Sequence, residues 1–143
     1  MDSRLFGDAW ARLWCATLNE SDTYRSAAAA WEGSVVLVMR ADPAAGVDAD
    51  RAVFLDLWHG ACRAARVAND ADLSGARYVI EAGPATWLDV LSGGTSPITA
   101  LLGGRLRLAR GSLMTLLPYA HAAKELVDTA VEVHARFTAG EHA

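Results

Sequence analysis

The chain has 143 residues, enough for one domain that buries roughly two thirds of its unfolded surface and builds a core without staples. Its net charge is −4 and its 13 Lys and Arg are scattered, which excludes the clustered basic footprint of a nucleic-acid binder. Although 52% of residues are apolar and five are Trp, no run approaches the roughly 18 apolar residues that span a bilayer.

Phe6, Ala9, Trp10, Leu13 and Thr17 recur at helical spacing, with Trp14 beside them, and predict an amphipathic helix over 5–19. Ser21 or Asp22 can cap a second helix that runs through the alanines 27–30 and stops at Gly33. From Ser34 the pattern changes to SVVLVMR, a β-branched run expected of a strand covered on both faces, followed by a turn at DPAAG. Residues 52–59 alternate, with Val53, Leu55, Leu57 and His59 on one side and Phe54, Asp56 and Trp58 on the other. CRAARVA reads as the neighbouring strand across a tight turn at Gly60, NDADLSG as a polar loop, and ARYVIEA as a fourth strand.

Gly83 and Pro84 open a helix whose apolar side carries Trp87, Leu88 and Leu91 and which ends at Ser92, Gly93 and Gly94. Pro97 starts a short helix, ITALLGG, and its glycine pair turns the backbone into a fifth strand, RLRLARG. From Ser112 the chain is helical, broken or kinked at Pro118; Ala123, Leu126, Val127, Ala130, His134 and Phe137 then form a stripe reaching Gly140. With no repeat and no linker, residues 1–143 are expected to form a single α+β domain in which helices cover a mainly antiparallel sheet.

Cys15 and Cys62 lie in different predicted elements and lack metal-ligand spacing, so two reduced thiols are expected. The N-terminal MDSRLFGDAW lacks the apolar core of a signal peptide and AGEHA is neither a peroxisomal nor an ER address, so a cytoplasmic location is expected.

Phosphate loops, His-Glu-x-x-His, Cys-x-x-Cys and Gly-x-Ser-x-Gly are all missing, and no metal or cofactor is implied. Asp56 could serve as a general base if its aromatic neighbours desolvated it, but the expectation is that it points to solvent or pairs with Arg63 or Arg66 on the next strand. Its neighbour His59 reads as a strand-end polar residue, and Glu81 with Asp89 form a second weak pair around the Gly83-Pro84 turn. His121 and His134 are too far apart on their helix for paired metal ligation, and His142 falls in a tail. Arg105 and Arg107 share a strand face, where they either guide an acidic headgroup or guard a sheet edge with charge. Trp87, Leu91, Ile98, Leu101, Leu102 and Met114 can fill a core or line a cavity.

Residues 86–113, TWLDVLSGGTSPITALLGGRLRLARGSL, resemble the signature of the sterol carrier protein type two family: a Trp-bearing helix, a Gly turn, a short apolar helix, Gly-[Lys/Arg]-Leu and a strand closing on Gly. The segment WARLWCATLNESDTYRSAAAAWEGSVVLVM is similar to its bacterial single-domain members, in which Asn-x-Ser-x-x-Tyr leads through alanines to Trp-x-Gly and an apolar strand. Two departures stand out: Ser112 follows Gly111 where Asp is common, and the eukaryotic peroxisomal tripeptide is absent.

The resemblance implies a five-stranded, mostly antiparallel sheet and helices enclosing an apolar tunnel for a fatty acid, acyl-CoA or sterol-like lipid, with a carrier or accessory role rather than catalysis. On that reading Trp87, Leu91, Ile98, Leu101 and Leu102 cover the sheet side, while Phe54, Trp58, Leu106 and Leu108 supply part of the floor. Met114 and Leu117 adjust to ligand shape, and Arg105 and Arg107 meet the headgroup. Two rivals remain open: an interaction or dimerisation module docking through Trp10 and Trp14 on a surface helix, and a small hydrolase or isomerase using Asp56 and His59.

Overall fold

The structure, a computed structural model, describes the backbone of residues 5–141 and the side chains of residues 5–136; Phe137 and His142 fall outside the described side chains. Five strands, β1 (Glu32–Met39), β2 (Arg51–Trp58), β3 (Ala61–Val67), β4 (Tyr78–Ala82) and β5 (Arg107–Arg110), form one sheet in the order β3-β2-β1-β4-β5. Only β1 and β4 run parallel; the other three pairings are antiparallel, so the sheet is mixed and mainly antiparallel as expected. Val35 of β1 sits between Leu55 of β2 and Tyr78 of β4, in the register that puts all three on one face.

That face is covered by α1 (Asp8–Glu20), α2 (Asp22–Ala27), α4 (Pro84–Leu91), α5 (Pro97–Leu102) and α7 (Ala120–Glu141), which enclose the main core. A smaller apolar cluster lies on the opposite face, where Val36, Val38, Val79 and Phe54 pack under Leu73 and Ala76, within and just after the short helix α3 (Asp70–Gly75). Tight turns join the rest: a 3-10 turn at Pro43–Ala45 closed by the Asp42–Val47 bridge, and the short α6 (Leu113–Leu116) with its 3-10 extension Leu117–Tyr119. Gly111 closes β5 at φ +103°, and a β-carbon there would collide with the Tyr78 ring, which explains the glycine at this corner.

Several expectations are corrected. The α1 helix is not a surface helix, because Trp10, Ala11, Trp14, Thr17 and Leu18 form a buried stripe and both tryptophans are sealed in the core. The second helix ends at Ala27 rather than Ala30: the amide of Trp31 turns back to Ala28 O, and its indole bonds Gly33 O as β1 begins. The polar stretch NDADLSG is not a loop but holds α3 (Asp70–Gly75), started by a capping box in which Asn69 and Asp72 each accept the other's amide, at 2.8 and 3.1 Å.

The last strand begins at Arg107, not Arg105, because the amides of Arg105 and Leu106 both donate to Ala100 O at the end of α5. Cys15 and Cys62 are not separate thiols either; they form a disulfide with a Cα–Cα distance of 5.4 Å, within the ordinary range.

Candidate functional site

A cavity of about 70 Å³ lies between the helical layer and the inner face of the sheet. The sheet contributes Val35 and Leu37 of β1, Leu57 of β2, and Tyr78 and Ile80 of β4. Alternation places these side chains on one face, and the helices close over them with Trp14, Tyr24, Trp87, Val90, Pro97 and Leu101. Trp31, Leu106, Leu116 and Tyr119 fill the corners, while Ala122, Ala123, Leu126 and Val127 present one side of α7. Among the wall residues Ile80, Leu101, Tyr119, Ala123, Leu126 and Val127 are only half-buried, so the wall is thinnest along β4, α5 and α7.

The wall is apolar because its polar tips are turned away and bonded. Trp14 Nε1 donates to Leu126 O at 3.1 Å, tying α1 to α7, and Trp87 Nε1 donates to Val38 O at 2.9 Å, tying α4 to β1. Trp31 Nε1 donates to Gly33 O at 2.9 Å, and the Tyr78 hydroxyl lies 2.7 Å from that of Thr115. The Tyr119 hydroxyl reaches Ala30 O at 3.5 Å. Each bond satisfies a group that would otherwise be costly to bury, and together they leave ring faces and methyls toward the space.

Of the residues read from the sequence as ligand-lining, Trp87, Leu101 and Leu106 stand on this wall. Leu91 is buried in the main core and Ile98, Leu108 and Leu117 are half-buried, but none of these four faces the cavity. Leu102 and Met114 lie outside it, 63% and 76% exposed. Phe54 and Trp58 are on the wrong side of the sheet for its floor: Phe54 joins the opposite cluster beneath the Arg66 guanidinium, and Trp58, 40% exposed, lies beneath Arg63.

Arg105 and Arg107 do not share a strand face. Arg105 donates to Asp89 and Thr95, at 2.9 and 3.1 Å, while Arg107 donates to Glu81 at 3.0 Å. Hydrogen bonds from Thr95 and then Arg105 hold the Asp89 carboxyl below the ordinary range. This triad links the end of α4 to the segments on both sides of α5, a helix that contributes Pro97 and Leu101 to the cavity wall.

The Asp56 carboxylate takes a two-pronged bond from Arg63, at 2.9 and 3.2 Å, as the pairing reading expected. Its neighbour His59, a turn residue at φ +50°, bonds Glu32 instead, so the two are not assembled as a catalytic pair. Among the described residues no group of three His, Cys, Asp or Glu side chains is placed to hold a metal, and no helix is long and apolar enough to cross a membrane.

Sequence reading missed Trp14, Tyr24, Trp31, Tyr78 and the α7 residues as wall. The Ala123-Leu126-Val127 stripe was the available signal, because a long helix carrying that stripe must lie over the sheet whose inner face it covers.

No family model and no curated protein matches the chain. Among solved structures, the crystal structure of a sterol carrier protein 2 is 50% identical, covers 90% of this chain and 98% of its own, and superposes with a TM-score of 0.82. The solution structure of a conserved hypothetical protein from Thermus thermophilus, possibly a sterol carrier protein, is 51% identical over 90% of this chain and 88% of its own, with a TM-score of 0.81. The apo form of sterol carrier protein 2 from Yarrowia lipolytica shares the fold at 14% identity, with 90% coverage of each chain and a TM-score of 0.59.

The Trp-bearing helix, glycine-flanked short helix and glycine-closed strand of 86–113 thus occupy one corner of a fold that matches these solved structures over 90% of the chain. With half its residues identical across nearly the whole of a sterol carrier protein 2, this chain belongs to the sterol carrier protein 2 family.

Proposed function

We propose that the chain is a single-domain, non-catalytic carrier that binds a hydrophobic molecule, a fatty acyl or sterol-like lipid, between its sheet and its helical layer. The observation that carries this reading is the apolar cavity between the sheet and the helical layer, in a fold shared with proteins described as sterol carriers. Desolvating a chain releases about 0.8 kcal/mol per methylene, so ten methylenes supply enough to offset ordering costs of several kcal/mol.

The cavity at about 70 Å³ is a starting volume rather than a finished tunnel, since ligand pockets commonly enclose ~300–1,000 Å³. Binding therefore includes an outward displacement of the half-buried lips. Glycine pairs at 93–94 and 103–104 flank α5, and Gly104 at φ +77° already adopts a conformation that few other residues tolerate, so α5 is the element that moves.

Ala123→Trp is the test, because it places an indole at the half-buried lip of α7 without removing any core group. Wild type is expected to raise the fluorescence of a bound polyene fatty acid, and the variant to lose at least tenfold in affinity with its circular dichroism unchanged. Equal binding by both proteins would place the ligand elsewhere.

A further inference from the structure

We propose that the Cys15–Cys62 bridge is a redox switch for the cavity: a small thiol opens it by attack at Cys15, and the opened form binds its guest more tightly than the bridged form. The proposal rests on the ligand-binding reading above and adds the regulation of that site.

The bridge joins two pieces of the cavity wall. Cys15 follows Trp14 in α1, and Cys62 stands opposite Leu57 in the β2–β3 pairing; Trp14 and Leu57 both line the cavity. The ladder shifts register between Asp56 and Leu57, so its hydrogen bonding is interrupted beside the point where the bridge attaches. Closed, the bridge holds the two Cα atoms 5.4 Å apart and with them the separation of α1 from the sheet. The cavity of about 70 Å³ must enlarge to hold a lipid, and this covalent tie denies that freedom to the side built by Trp14.

Opening the bridge does not release α1 altogether. Asn19 still exchanges hydrogen bonds with the Cys62 backbone at 2.8 and 2.9 Å, Asp8 still accepts the Val67 amide at 2.7 Å, and the Trp14 indole still bonds Leu126 O. Such contacts break and re-form singly, which a covalent bond does not, so reduction turns a fixed stretch of wall into one that gives way.

Both cysteines border an open surface groove between α1 and β3, lined also by Arg12, Asn19, Arg63 and Arg66. No carboxylate lines it, and the acidic partners of the three arginines, Asp8, Asp56 and Asp72, lie outside, so an approaching thiolate meets no like charge on the groove wall. Cys15 is half-buried and Cys62 only 4% exposed, which makes Cys15 Sγ the atom attacked. The thiolate bonds to Cys15 Sγ as the bond to Cys62 breaks, and Cys62 leaves as a thiolate that takes a proton from water. A second thiolate then attacks the small-thiol sulfur of the mixed disulfide and expels Cys15. Two small thiols are thereby oxidised to their disulfide, and the bridge is reduced to two cysteine thiols.

Parinaric acid, a fluorescent polyene fatty acid, is titrated into bridged wild type, into wild type opened by glutathione in native buffer, and into Cys15→Ala/Cys62→Ala with and without glutathione. The opened protein is expected to bind about fivefold tighter or more, the lower end of ordinary coupling between two sites. The double variant should match the opened protein and ignore glutathione. Linkage requires the reciprocal shift: saturating fatty acid should move the exchange equilibrium between bridge and glutathione toward the dithiol by the same factor, which a purely structural bridge would not show. With glutathione disulfide, Cys62→Ala should form the mixed disulfide at Cys15 faster than Cys15→Ala forms it at Cys62; the reverse order overturns the site of attack. Equal affinity in the two redox states, or tighter binding by the bridged form, overturns the switch and leaves the carrier reading intact. So does a bridge that glutathione opens only in urea, or an opened protein that loses its circular dichroism, because the bond would then hold the fold rather than tune the cavity. If no redox state takes up the fatty acid, the carrier reading fails and the switch fails with it.

Discussion

Asp72 shows how much one side chain can organise. Burial works to raise its pKa, but the Asn69 amide and then the Arg66 guanidinium overcome this and hold the carboxyl below the ordinary range. Arg66 bonds it at 2.6 and 3.2 Å and also lies over the Phe54 ring, so one carboxylate starts α3 and fixes the cation on the outer sheet face. A folded-state pKa below the unfolded value of about 4 means stabilisation that is complete above that pH and lost as pH falls through the folded-state value. Asp72→Asn should therefore lower the unfolding free energy by about 1–2 kcal/mol at neutral pH, the gap narrowing below about pH 4. Urea titrations at pH 7 and pH 3 measure it; a gap of the same size at both would mean that charge is not the cause. At this scale the alternation of β2 was legible and its sidedness was not. Val53, Leu55 and Leu57 oppose Phe54, Asp56 and Trp58, and the two large aromatics suggested a floor where arginines in fact cover the rings. A stacked guanidinium lets an aromatic side chain sit on an outer face, and a period-2 pattern does not show which face the helices cover.

At the scale of elements, α1 guards the free edge of the sheet. Edge strand β3 would present unpaired amides to any passing strand, but Asp8 accepts the Val67 amide at 2.7 Å. Asn19 exchanges two hydrogen bonds with the Cys62 backbone, at 2.8 and 2.9 Å. The Cys15–Cys62 bridge adds a covalent tie between the same two elements, across a sequence separation of 47 residues. In the chain-entropy description a loop of that size stabilises by about 4 kcal/mol. Adding a reductant, or replacing both cysteines by serine, should lower the urea-derived unfolding free energy by about 2–4 kcal/mol. No change would assign the α1–β3 tie to Asn19 and Asp8 alone. Under reducing conditions the bridge is subject to opening and these polar bonds are what remain. Composition and spacing could not foresee the pairing, because it depends on α1 lying across β3, which is a tertiary fact. By contrast α3 was legible in principle: Asn69 three residues before Asp72 is a capping signature, hidden by the density of turn-forming residues around it.

For the whole molecule, the two faces of the sheet divide the labour. The outer face is thinly covered by α3 and held by ion pairs, while the inner face carries five helices and the only large aromatic cluster among the described residues. The fold class and the mainly antiparallel sheet were legible because the element order and the 86–113 signature agree; the cavity's extent was not, since its wall draws on residues from 14 to 127 that meet only after folding. A guest held there binds the folded state alone. At one hundred times its Kd it adds about 2.7 kcal/mol of stability, which in a chain of this length raises Tm by roughly 5–10 °C. Thermal melts with and without a saturating long-chain alcohol check this, and a Tm that ignores the additive would contradict a buried site.

The bond from the Trp14 indole to the Leu126 carbonyl spans 112 residues. A ribosome adding about 5–20 residues per second needs roughly 6–22 seconds to cover that distance. Late in that interval all five strands have been made, yet the helix that shelters this tryptophan is still being built. The nascent polypeptide therefore displays its greasiest surface during most of its birth, which makes it a natural client for chaperones that patrol translating ribosomes.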